Sequence, residues 1–358
     1  MGLVYIGTYT KHGSKGIYVC SFDLRRGTLS APQLAAGAIN PSFLALHPNG
    51  KHLYAANETT DFQGQASGAV SAFEINPATG RLSFLNQVAS RGMLPCHVVV
   101  DSSGSTVLVA NYKSGSAAAF PVGTDGRLSG ASTVVQHVGS SIHPTRQRGP
   151  HAHSVILSPD NRFALVPDLG LDKVQVYRLS ATSGTLIAHE LASARLNAGA
   201  GPRHAVFHPE GRHLYVINEL QSTIAVFAYD PASGALNQLQ TLSTLPSDFR
   251  GESTAAEVRV HPRGRFLYAS NRGHDSITIF SISPKEATIT LLGHASTKGK
   301  TPRHFALDAS GAWLLVANQD SNSLVLFRLD PATGALAPTN QMLEISSPVC
   351  VSFANQKV

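Results

Sequence analysis

One pattern, His-Pro-x-Gly-x-x-Leu-Tyr-x-x-Asn, recurs in six imperfect copies along this chain of 358 residues. The copies occupy residues 47–57, 101–111, 158–168, 208–218, 261–271 and 308–318. Every copy has the same internal length, whereas the gaps between copies differ. A constant internal spacing with variable gaps indicates one structural unit that is repeated, with insertions placed in loops.

Each copy has the chemistry of a β-hairpin with two further strands behind it. In residues 44–56 a first apolar run, a Pro-Asn-Gly turn and a second apolar run follow one another, which predicts a hairpin. A third apolar run at residues 68–75 leads into an Asn-Pro-Ala-Thr-Gly turn, and a fourth, edge strand is expected after it. Four antiparallel strands and a period of roughly 50 residues are typical of one β-propeller blade.

The two ends of the chain complete the ring. Residues 3–9 have the pattern of a second strand without its first, and residues 347–353 have the pattern of a first strand without its second. Joined, they supply a seventh blade, and pairing of the last strand with the first ones leaves no open sheet edge. We therefore predict an all-β fold, a seven-bladed β-propeller of four-stranded antiparallel blades, with residues 1–358 in one domain.

Composition adds expectations about compartment and partners. The chain has three cysteines, Cys20, Cys96 and Cys350. Their spacing is not that of metal ligands, and an odd number cannot all pair as disulfides, which indicates reduced thiols in a cytoplasmic protein. Apolar runs stay below the roughly 20 residues of a membrane span, so no membrane contact is expected. Strand sequence from Leu3 onward leaves no room for a signal peptide, although a trimmed precursor stays open.

The charge pattern bears on the kind of partner. The formal net charge is +6, but no run of Lys and Arg and no basic helix lies behind it. We therefore expect an anionic small molecule, and not nucleic acid, as the partner. The chain itself is expected to be a monomer or a weak homodimer.

Charged residues collect at positions where the repeat needs none. In a propeller the innermost strands line the central channel, and the start of each first strand lies beside the end of the second. The corresponding positions carry Glu58, His97, His153, Arg203, His204, Glu219, Glu257, Arg272, Arg303, His304 and the amide Gln319. Burial of such charges is costly unless they are paired or used. Single members could merely bridge adjacent blades, but a whole cluster at one mouth indicates a functional site.

The histidines outside that ring fall into two classes. His151 alternates with His153 on an expected strand, so the two would share a face and could hold a metal or line an anion site. No acidic residue or cysteine stands beside them to complete a ligand set, and we therefore expect no metal. His47, His208 and His261 recur at the first turn of the blade, which predicts a structural role.

A loop interrupts the repeat at residues 136–150. It carries Arg146 and Arg148 and precedes the blade that contains His151 and His153. Two interpretations stay open for it, a lid folded over the mouth or a mobile surface loop.

Several further motifs are not explained by the blade pattern. They are Tyr-Ile-Gly-Thr-Tyr-Thr at 5–10, Gly-Pro-His-Ala-His-Ser at 149–154, Gly-Pro-Arg-His at 201–204, Glu-Ser-Thr-Ala-Ala-Glu at 252–257, Ala-Ser-Asn-Arg-Gly-His-Asp at 269–275 and Thr-Pro-Arg-His at 301–304. Together they resemble the motifs of the seven-bladed propeller lactonase family, over the whole chain. The resemblance implies hydrolysis of 6-phospho-D-glucono-1,5-lactone in the oxidative pentose phosphate pathway. A muconate-type lactonizing enzyme and a non-catalytic binding propeller are the alternatives.

The resemblance also implies particular site residues. In the family's muconate-cyclizing member the site is proposed to consist of a His, an Arg, a Glu and a second Arg at the channel mouth. By motif these correspond to His153, Arg203, Glu219 and Arg272, with His151 as the alternative to His153. The family is reported to work without a metal or an organic cofactor, so none is expected here.

Lactone hydrolysis assigns expected roles to these residues, because it needs an activated water, an oxyanion donor and a proton for the departing alkoxide. Glu219 or His153 is expected as the base, and Arg203 and Arg272 as the oxyanion donors. The substrate-binding set is expected to comprise His151, His204, Glu257, Arg303, His304 and Gln319. A phosphate would be held by Arg303, by His304 or by the loop arginines. The sequence has no Gly-x-Ser-x-Gly motif, which argues against a serine α/β-hydrolase mechanism.

Overall fold

The predicted seven-bladed architecture is confirmed. The computed structural model of the protein describes residues 2–180, 182–189 and 192–354, and these residues form seven antiparallel sheets. The innermost strands of neighbouring sheets contact one another around a central channel, so each sheet is one blade. Among the described residues no helix is long and apolar enough to cross a membrane.

The strands of each blade follow in chain order. Blade 1 contains β1 (Gly2–Thr8), β2 (Gly16–Asp23), β3 (Thr28–Leu29), β4 (Gln33–Gly37) and β30 (Pro348–Ala354). Blade 2 contains β5 (Pro41–Leu46), β6 (His52–Asn57), β7 (Ala69–Ile75) and β8 (Leu82–Ala89). Blade 3 contains β9 (Pro95–Val100), β10 (Thr106–Asn111), β11 (Ser116–Pro121) and β12 (Thr133–Gln136). Blade 4 contains β13 (Ile156–Leu157), β14 (Phe163–Asp168), β15 (Lys173–Ser180), β16 (Thr185–Ala188) and β17 (Ala194–Arg195).

The remaining three blades are regular four-stranded sheets. Blade 5 contains β18 (Pro202–Phe207), β19 (His213–Asn218), β20 (Thr223–Tyr229) and β21 (Leu236–Ser243). Blade 6 contains β22 (Thr254–Val260), β23 (Phe266–Arg272), β24 (Ser276–Ile282) and β25 (Ile289–Ser296). Blade 7 contains β26 (Pro302–Leu307), β27 (Trp313–Asn318), β28 (Ser323–Leu329) and β29 (Leu336–Glu344).

Blade 1 closes the ring with strands from both ends of the chain. Its innermost strand, β30, pairs antiparallel with β1, and Leu3 faces Ala354 while Ile6 faces Val351. β1 is paired with β2 on its other side. The expected pairing of the two ends is therefore confirmed, and β1 presents no open edge to solvent.

Tyrosine hydroxyls of the Leu-Tyr motif join one blade to the next. The hydroxyls of Tyr5, Tyr54, Tyr215 and Tyr268 donate buried hydrogen bonds of 2.9–3.0 Å to the carbonyl oxygens of Gly80, Gly126, Ala287 and Gly334. Each acceptor lies in the turn before the outer strand of the following blade. We call this contact the hydroxyl latch. It accounts for a tyrosine at a position where apolar packing alone would accept Phe.

The repeated turn histidines are structural, as predicted. Nε2 atoms of His47, His208 and His261 lie 2.9, 3.0 and 3.1 Å from the carbonyl oxygens of Gly104, Gly264 and Gly311 in the next blade. A Cβ atom at Gly104 would lie 2.3 Å from the His47 ring, and the φ angle of Gly104 is +77°. Glycine is required there for both reasons.

A β-bulge places consecutive residues of the inner strands in the channel. The pairing of β18 with β19 shifts register between Pro202 and His204, and that of β26 with β27 shifts between Pro302 and His304. Neighbours in a regular strand point to opposite faces, but here both Arg203 and His204 line the channel.

The inner strand of blade 4 departs from the prediction. The prediction of a strand across residues 151–154 is wrong. In this segment Ala152 forms one isolated bridge with Asp168, and strand β13 begins only at Ile156. Asp168 stands where blades 2, 3, 5, 6 and 7 have Asn. Its carboxylate accepts a hydrogen bond from the backbone N–H of His151 at 2.7 Å and lies 2.5 Å from Nδ1 of His137. These side-chain contacts add to the two backbone hydrogen bonds of the bridge, from His153 N–H to the Pro167 carbonyl and from Leu169 N–H to the His151 carbonyl.

The hydroxyl latch gives the first testable prediction. Tyr268→Phe removes the donor from the buried Gly334 carbonyl, so we expect the free energy of unfolding to fall by about 1–3 kcal/mol. Urea denaturation followed by circular dichroism measures the change. Tyr18→Phe is the matched control, because the Tyr18 hydroxyl only accepts an exposed bond from Lys15 N–H. Equal stability of the two variants would contradict the latch.

Candidate active site

Glu219 is the centre of the charged mouth. It follows β19 directly, is only 3% exposed, and its carboxylate contacts three guanidinium groups. The distances to its oxygens are 2.6 Å from Nη2 of Arg146, 3.1 Å from Nε of Arg203 and 2.9 Å from Nη2 of Arg272. We call these four residues the Glu219 cluster. They come from the loop before blade 4 and from blades 5 and 6, and the inner strands of these neighbouring blades pack against one another.

The arginines decide the ionisation of Glu219. Burial alone would raise the pKa of its carboxyl group, but Arg272, Arg203, His153 and Arg146 outweigh burial and hold that pKa well below its usual range. Glu219 is therefore a carboxylate at neutral pH. Both of its oxygens are occupied by guanidinium groups, so its geometry suits the orientation of arginines better than general-base catalysis.

His153 lies beside the Glu219 cluster and, unlike Glu219, carries no charge at neutral pH. Its Nε2 is 3.9 Å from Oε2 of Glu219, and its ring packs edge-on against Tyr112 at 5.2 Å. Burial, reinforced by Arg203 and His204, holds the pKa of His153 well below its usual value. The imidazole is therefore neutral at pH 7 and able to accept a proton.

His151 is placed differently from His153. Its ring stacks on Tyr112 at 4.6 Å, and its Nδ1 lies 3.0 Å from the Tyr112 carbonyl oxygen, to which it donates. Of the two histidines, the structure brings His153 to Glu219. Tyr112 itself was not chosen from the sequence, although it occupies the position after the second-strand Asn that led to Glu219 and Arg272.

Arg203 has the most constrained side chain of the mouth. Nε donates to Glu219, and Nη1 donates to the Ala256 carbonyl at 2.7 Å and to Nε2 of His204 at 3.2 Å. Within the described part of the chain, Nη2 has no hydrogen-bond partner. Burial, with the charges of Arg272 and Arg303, lowers the pKa of Arg203 to about 10, so the group stays cationic.

Arg303 forms a second cationic point at the same mouth. Its Nη2 donates to the Tyr9 hydroxyl at 2.9 Å, and that hydroxyl donates to Glu58 at 2.9 Å. Burial alone would lower the pKa of Arg303, but Tyr9, Glu58 and Glu219 outweigh it and raise that pKa. Glu58 belongs to the charged cluster identified from the sequence, although no role was assigned to it there, and Tyr9 was not selected although it occupies the equivalent position in blade 1.

The loop at residues 136–150 is tied to the body of the propeller. Nε2 of Gln147 donates to the Leu169 carbonyl at 2.8 Å and to Asp172 at 2.7 Å, and Ser141 Oγ donates to Asp172 at 2.5 Å. Arg146 extends from this anchored loop onto Glu219 and donates to the Tyr112 hydroxyl at 3.1 Å. The loop therefore contributes to the mouth, as in the lid interpretation.

A second acidic cluster lies deeper in the channel. Oε2 of Glu257 is 2.9 Å from Nδ1 of His204 and 3.1 Å from Nε2 of His304, and Oε1 is 3.3 Å from Nε of Arg259. We call these four residues the Glu257 cluster. Together with His97 they line a cavity of about 620 Å³ between the distal parts of the inner strands, away from Glu219. Glu257 therefore lies on the side of the channel away from Glu219, whereas His204 and His304 border both this cavity and a small space lined by Glu58, Arg203 and Arg303.

Gln319 lies on the rim of the mouth. Its Nε2 donates to Asp320 at 2.9 Å, while its backbone N–H donates to the Thr301 carbonyl at 2.9 Å. It is thus close to the strand that carries Arg303.

Comparison with known proteins decides what kind of site this is. The profile of the family described as "Lactonase, 7-bladed beta-propeller" matches residues 3–353. The chain belongs to this lactonase family. The 6-phosphogluconolactonase of Bacillus subtilis (strain 168) is 38% identical to it over 98% of both chains. A 6-phosphogluconolactonase of Formosa agariphila is 36% identical over 96% of this chain and 97% of the relative.

Solved structures give the same family. The periplasmic gluconolactonase of Pseudomonas aeruginosa superposes with a TM-score of 0.93 at 35% identity, over 99% of both chains. The family is therefore supported by sequence and by structure, and its described relatives act on sugar-acid lactones according to their names.

The metal question concerns His151 and His153. Across residues 2–180, 182–189 and 192–354, no group of three or more His, Cys, Asp or Glu side chains is arranged to hold a metal ion. The expectation that this lactonase needs neither metal nor cofactor stays a prediction, which exhaustive chelation followed by an activity assay tests.

The buried histidines predict a loss of stability in acid. Burial is the largest cause that lowers the pKa of His97 and of His304 to about 3, and it also holds those of His153 and His204 well below the usual value. The unfolded chain takes up these protons near pH 6.5 while the folded chain does not. Stability is therefore present above about pH 6.5 and is lost as pH falls toward about 3.

Urea midpoints at pH 7 and pH 4.5 test this expectation. Each such histidine contributes a slope of about 1.4 kcal/mol per pH unit below about pH 6.5, so the midpoint should be clearly lower at pH 4.5. His97→Phe should reduce the dependence on pH, because one of the four titrating groups is gone. A midpoint that is the same at both pH values would refute the neutral, buried state of these imidazoles.

Proposed function

We propose that the protein hydrolyses 6-phospho-D-glucono-1,5-lactone to 6-phosphogluconate. The observation that carries the proposal is the Glu219 cluster at the channel mouth, where one ionised carboxylate orients three arginines in a member of a lactonase family. The names of the relatives in Bacillus subtilis and Formosa agariphila support the phosphorylated substrate.

His153 is the proposed general base. Neutral and adjacent to Glu219, it takes a proton from water, whose oxygen attacks the carbonyl carbon C1 of the lactone. The carbonyl electron pair moves onto oxygen, and the resulting oxyanion accepts hydrogen bonds from Arg203 Nη2 and from Arg272. The bond between C1 and the ring oxygen then breaks, and the proton passes from His153 to the departing alkoxide. The products are a free hydroxyl group and a carboxylic acid, and the acid releases its proton to solvent to give the carboxylate.

Arg303 is the proposed phosphate ligand, with Arg146 as a second cation of the mouth. Both guanidiniums are at the mouth, and Arg303 keeps hydrogens free beyond the single bond to Tyr9 within the described residues. Gln319 and His151 border the same region and are proposed to contact the sugar hydroxyls. Arginine suits phosphate because its planar fork can donate two parallel hydrogen bonds.

Unphosphorylated glucono-1,5-lactone is the second candidate substrate. The likeness to the periplasmic gluconolactonase of Pseudomonas aeruginosa favours it. The same mouth would then use Arg303 for a hydroxyl group of the sugar and not for a phosphate.

Compartment and assembly belong to the proposal as well. We place the enzyme in the cytoplasm, since Cys20, Cys96 and Cys350 are all buried and unpaired. A monomer or weak homodimer is proposed, and sedimentation velocity over a range of concentrations tests it.

A direct assay tests the substrate. Freshly prepared 6-phosphoglucono-1,5-lactone, glucono-1,5-lactone and a carboxy-muconate are each offered, and the rate above spontaneous hydrolysis is recorded. We expect kcat/KM to be greatest for the phosphorylated lactone. A preference for glucono-1,5-lactone would select the second candidate, and turnover of none of the three would refute the proposed function.

Arginine variants separate the chemical step from substrate binding. Arg203→Met and Arg272→Met should each lower kcat by about 10² or more, the usual effect of losing one oxyanion donor. Arg303→Met should mainly raise KM, and it should harm the phosphorylated lactone far more than the unphosphorylated one. Arg263→Met, at an exposed site near blade 7, is the control. Full activity in all three mouth variants would overturn these roles.

A further inference from the structure

Glu257 has no role in the proposed reaction, yet it is a buried carboxylate with several ion-pair and hydrogen-bond partners. It is 2% exposed, and its side chain contacts His204, His304 and Arg259. The equivalent positions in other blades carry Phe43, His97, Ser154 and Cys350, so the blade fold does not require an acid there. Burial of a carboxylate away from water is energetically costly, so packing alone does not explain an acid at this position.

His204 connects Glu257 to the proposed oxyanion donor Arg203. Nε2 of His204 is 3.2 Å from Nη1 of Arg203, and Nδ1 is 2.9 Å from Glu257. An arginine can only donate, so Nε2 must be the acceptor and the proton must sit on Nδ1, from which it is donated to Glu257. Arg203 and Glu257 together therefore select the neutral Nδ1–H tautomer of His204. The lowered pKa of His204 agrees with this geometry.

The backbone of blade 6 supplies the other support for Arg203. The pairing of β22 with β23 shifts register between Ala255 and Val258, which is a β-bulge. The bulge leaves the Ala256 carbonyl outside the ladder, and Arg203 Nη1 donates to it at 2.7 Å. With Nε on Glu219, three of the five N–H hydrogens of Arg203 are directed by fixed acceptors. The plane of the guanidinium, and hence the direction of Nη2, follows from those three bonds.

We propose that Glu257 and His204 are positioning residues for Arg203. Glu257 holds the Nδ1–H tautomer of His204, His204 accepts from Nη1 of Arg203, and Nη2 is thereby directed at the oxyanion. Neither residue touches the substrate, in contrast to the substrate-binding role expected from the sequence. This inference rests on the proposed lactonase function and adds to it how the donor is oriented.

Kinetics of His204 variants test the proposal. His204→Phe keeps the ring shape and removes both hydrogen bonds, so kcat should fall by about 10- to 100-fold, as for a misplaced catalytic group, with KM within about twofold. His204→Gln should recover much of kcat, because its amide can accept from Arg203 and donate to Glu257. If His204→Phe does not fold, His204→Asn replaces it, since its shorter amide reaches Glu257 but not Arg203.

His97→Phe is the matched control for packing. His97 is also buried, and its ring lies 5.3 Å from that of His204, but within the described residues it bonds to neither Glu257 nor Arg203. This variant should keep kcat within about twofold of the wild type. An equal loss of kcat in the His97 and His204 variants would assign the effect to packing and overturn the proposal.

A double-mutant cycle identifies the route of the effect. In the Arg203→Met background, His204→Phe should cause no further loss of kcat, because the group that it positions is already absent. Independent, multiplying losses would overturn the proposal. A rise in KM with kcat unchanged in the single variant would return His204 to substrate binding.

Nitrogen NMR of His204 separates failure of this inference from failure of the proposed function. Its 15N shifts should report the neutral Nδ1–H tautomer from pH 8 to pH 5.5, whether or not any lactone is turned over. Loss of that tautomer in Glu257→Leu, which removes the acceptor of the Nδ1–H bond, would support the link, whereas an Nε2–H tautomer in the wild type would overturn it. An inactive wild type with the expected tautomer would instead refute the lactonase function alone.

Discussion

The antiparallel pairing of β30 with β1 is the contact on which the rest of the structure depends. It joins the two ends of the chain in one blade, so that all seven inner strands surround a single channel. Each blade then packs between two others, and the hydroxyl latches and turn histidines bridge neighbouring blades at repeated positions. Because β1 is paired on both sides, closure avoids association through an unpaired strand at the place where the two chain ends meet.

Closure also explains why charges can be buried at the channel. Side chains from separate blades converge there, so a carboxylate finds cations that no single sheet could provide. Glu219 meets arginines from three segments, and Glu257 meets histidines from two blades other than its own. Buried ions are tolerated only when paired in this way. The pairing makes the mouth rigid, which suits the stabilisation of a charge that develops during reaction.

The two acidic clusters have different electrostatic consequences. Glu219, which faces guanidiniums, keeps its charge, whereas the histidines around Glu257 are neutral because burial outweighs the attraction of the carboxylate. A neutral histidine can accept from arginine on one side and donate to a carboxylate on the other. Arg203 lies between the two clusters and is hydrogen-bonded to Glu219, to His204 and to the Ala256 carbonyl. The orientation of its guanidinium group is therefore set by residues of blades 5 and 6.

Much of this protein was determined by its sequence alone. The constant length of the repeat gave the blade, the partial motifs at residues 3–9 and 347–353 gave the seventh blade and the closure, and the repeat positions led to Arg203, Glu219 and Arg272. Such inferences succeed because blade geometry is local and repeats with the chain. Position within the repeat is enough to place a residue near the channel.

Tertiary structure alone decided how those residues face one another. Period-two alternation cannot anticipate the bulges that put both Arg203 and His204 in the channel and leave the Ala256 carbonyl free. The contact of Arg146 with Glu219 spans 73 positions, and the strand expected at 151–154 is reduced to a single bridge between Ala152 and Asp168. These features depend on contacts between neighbouring blades and loops that lie far apart in sequence, so no local pattern records them.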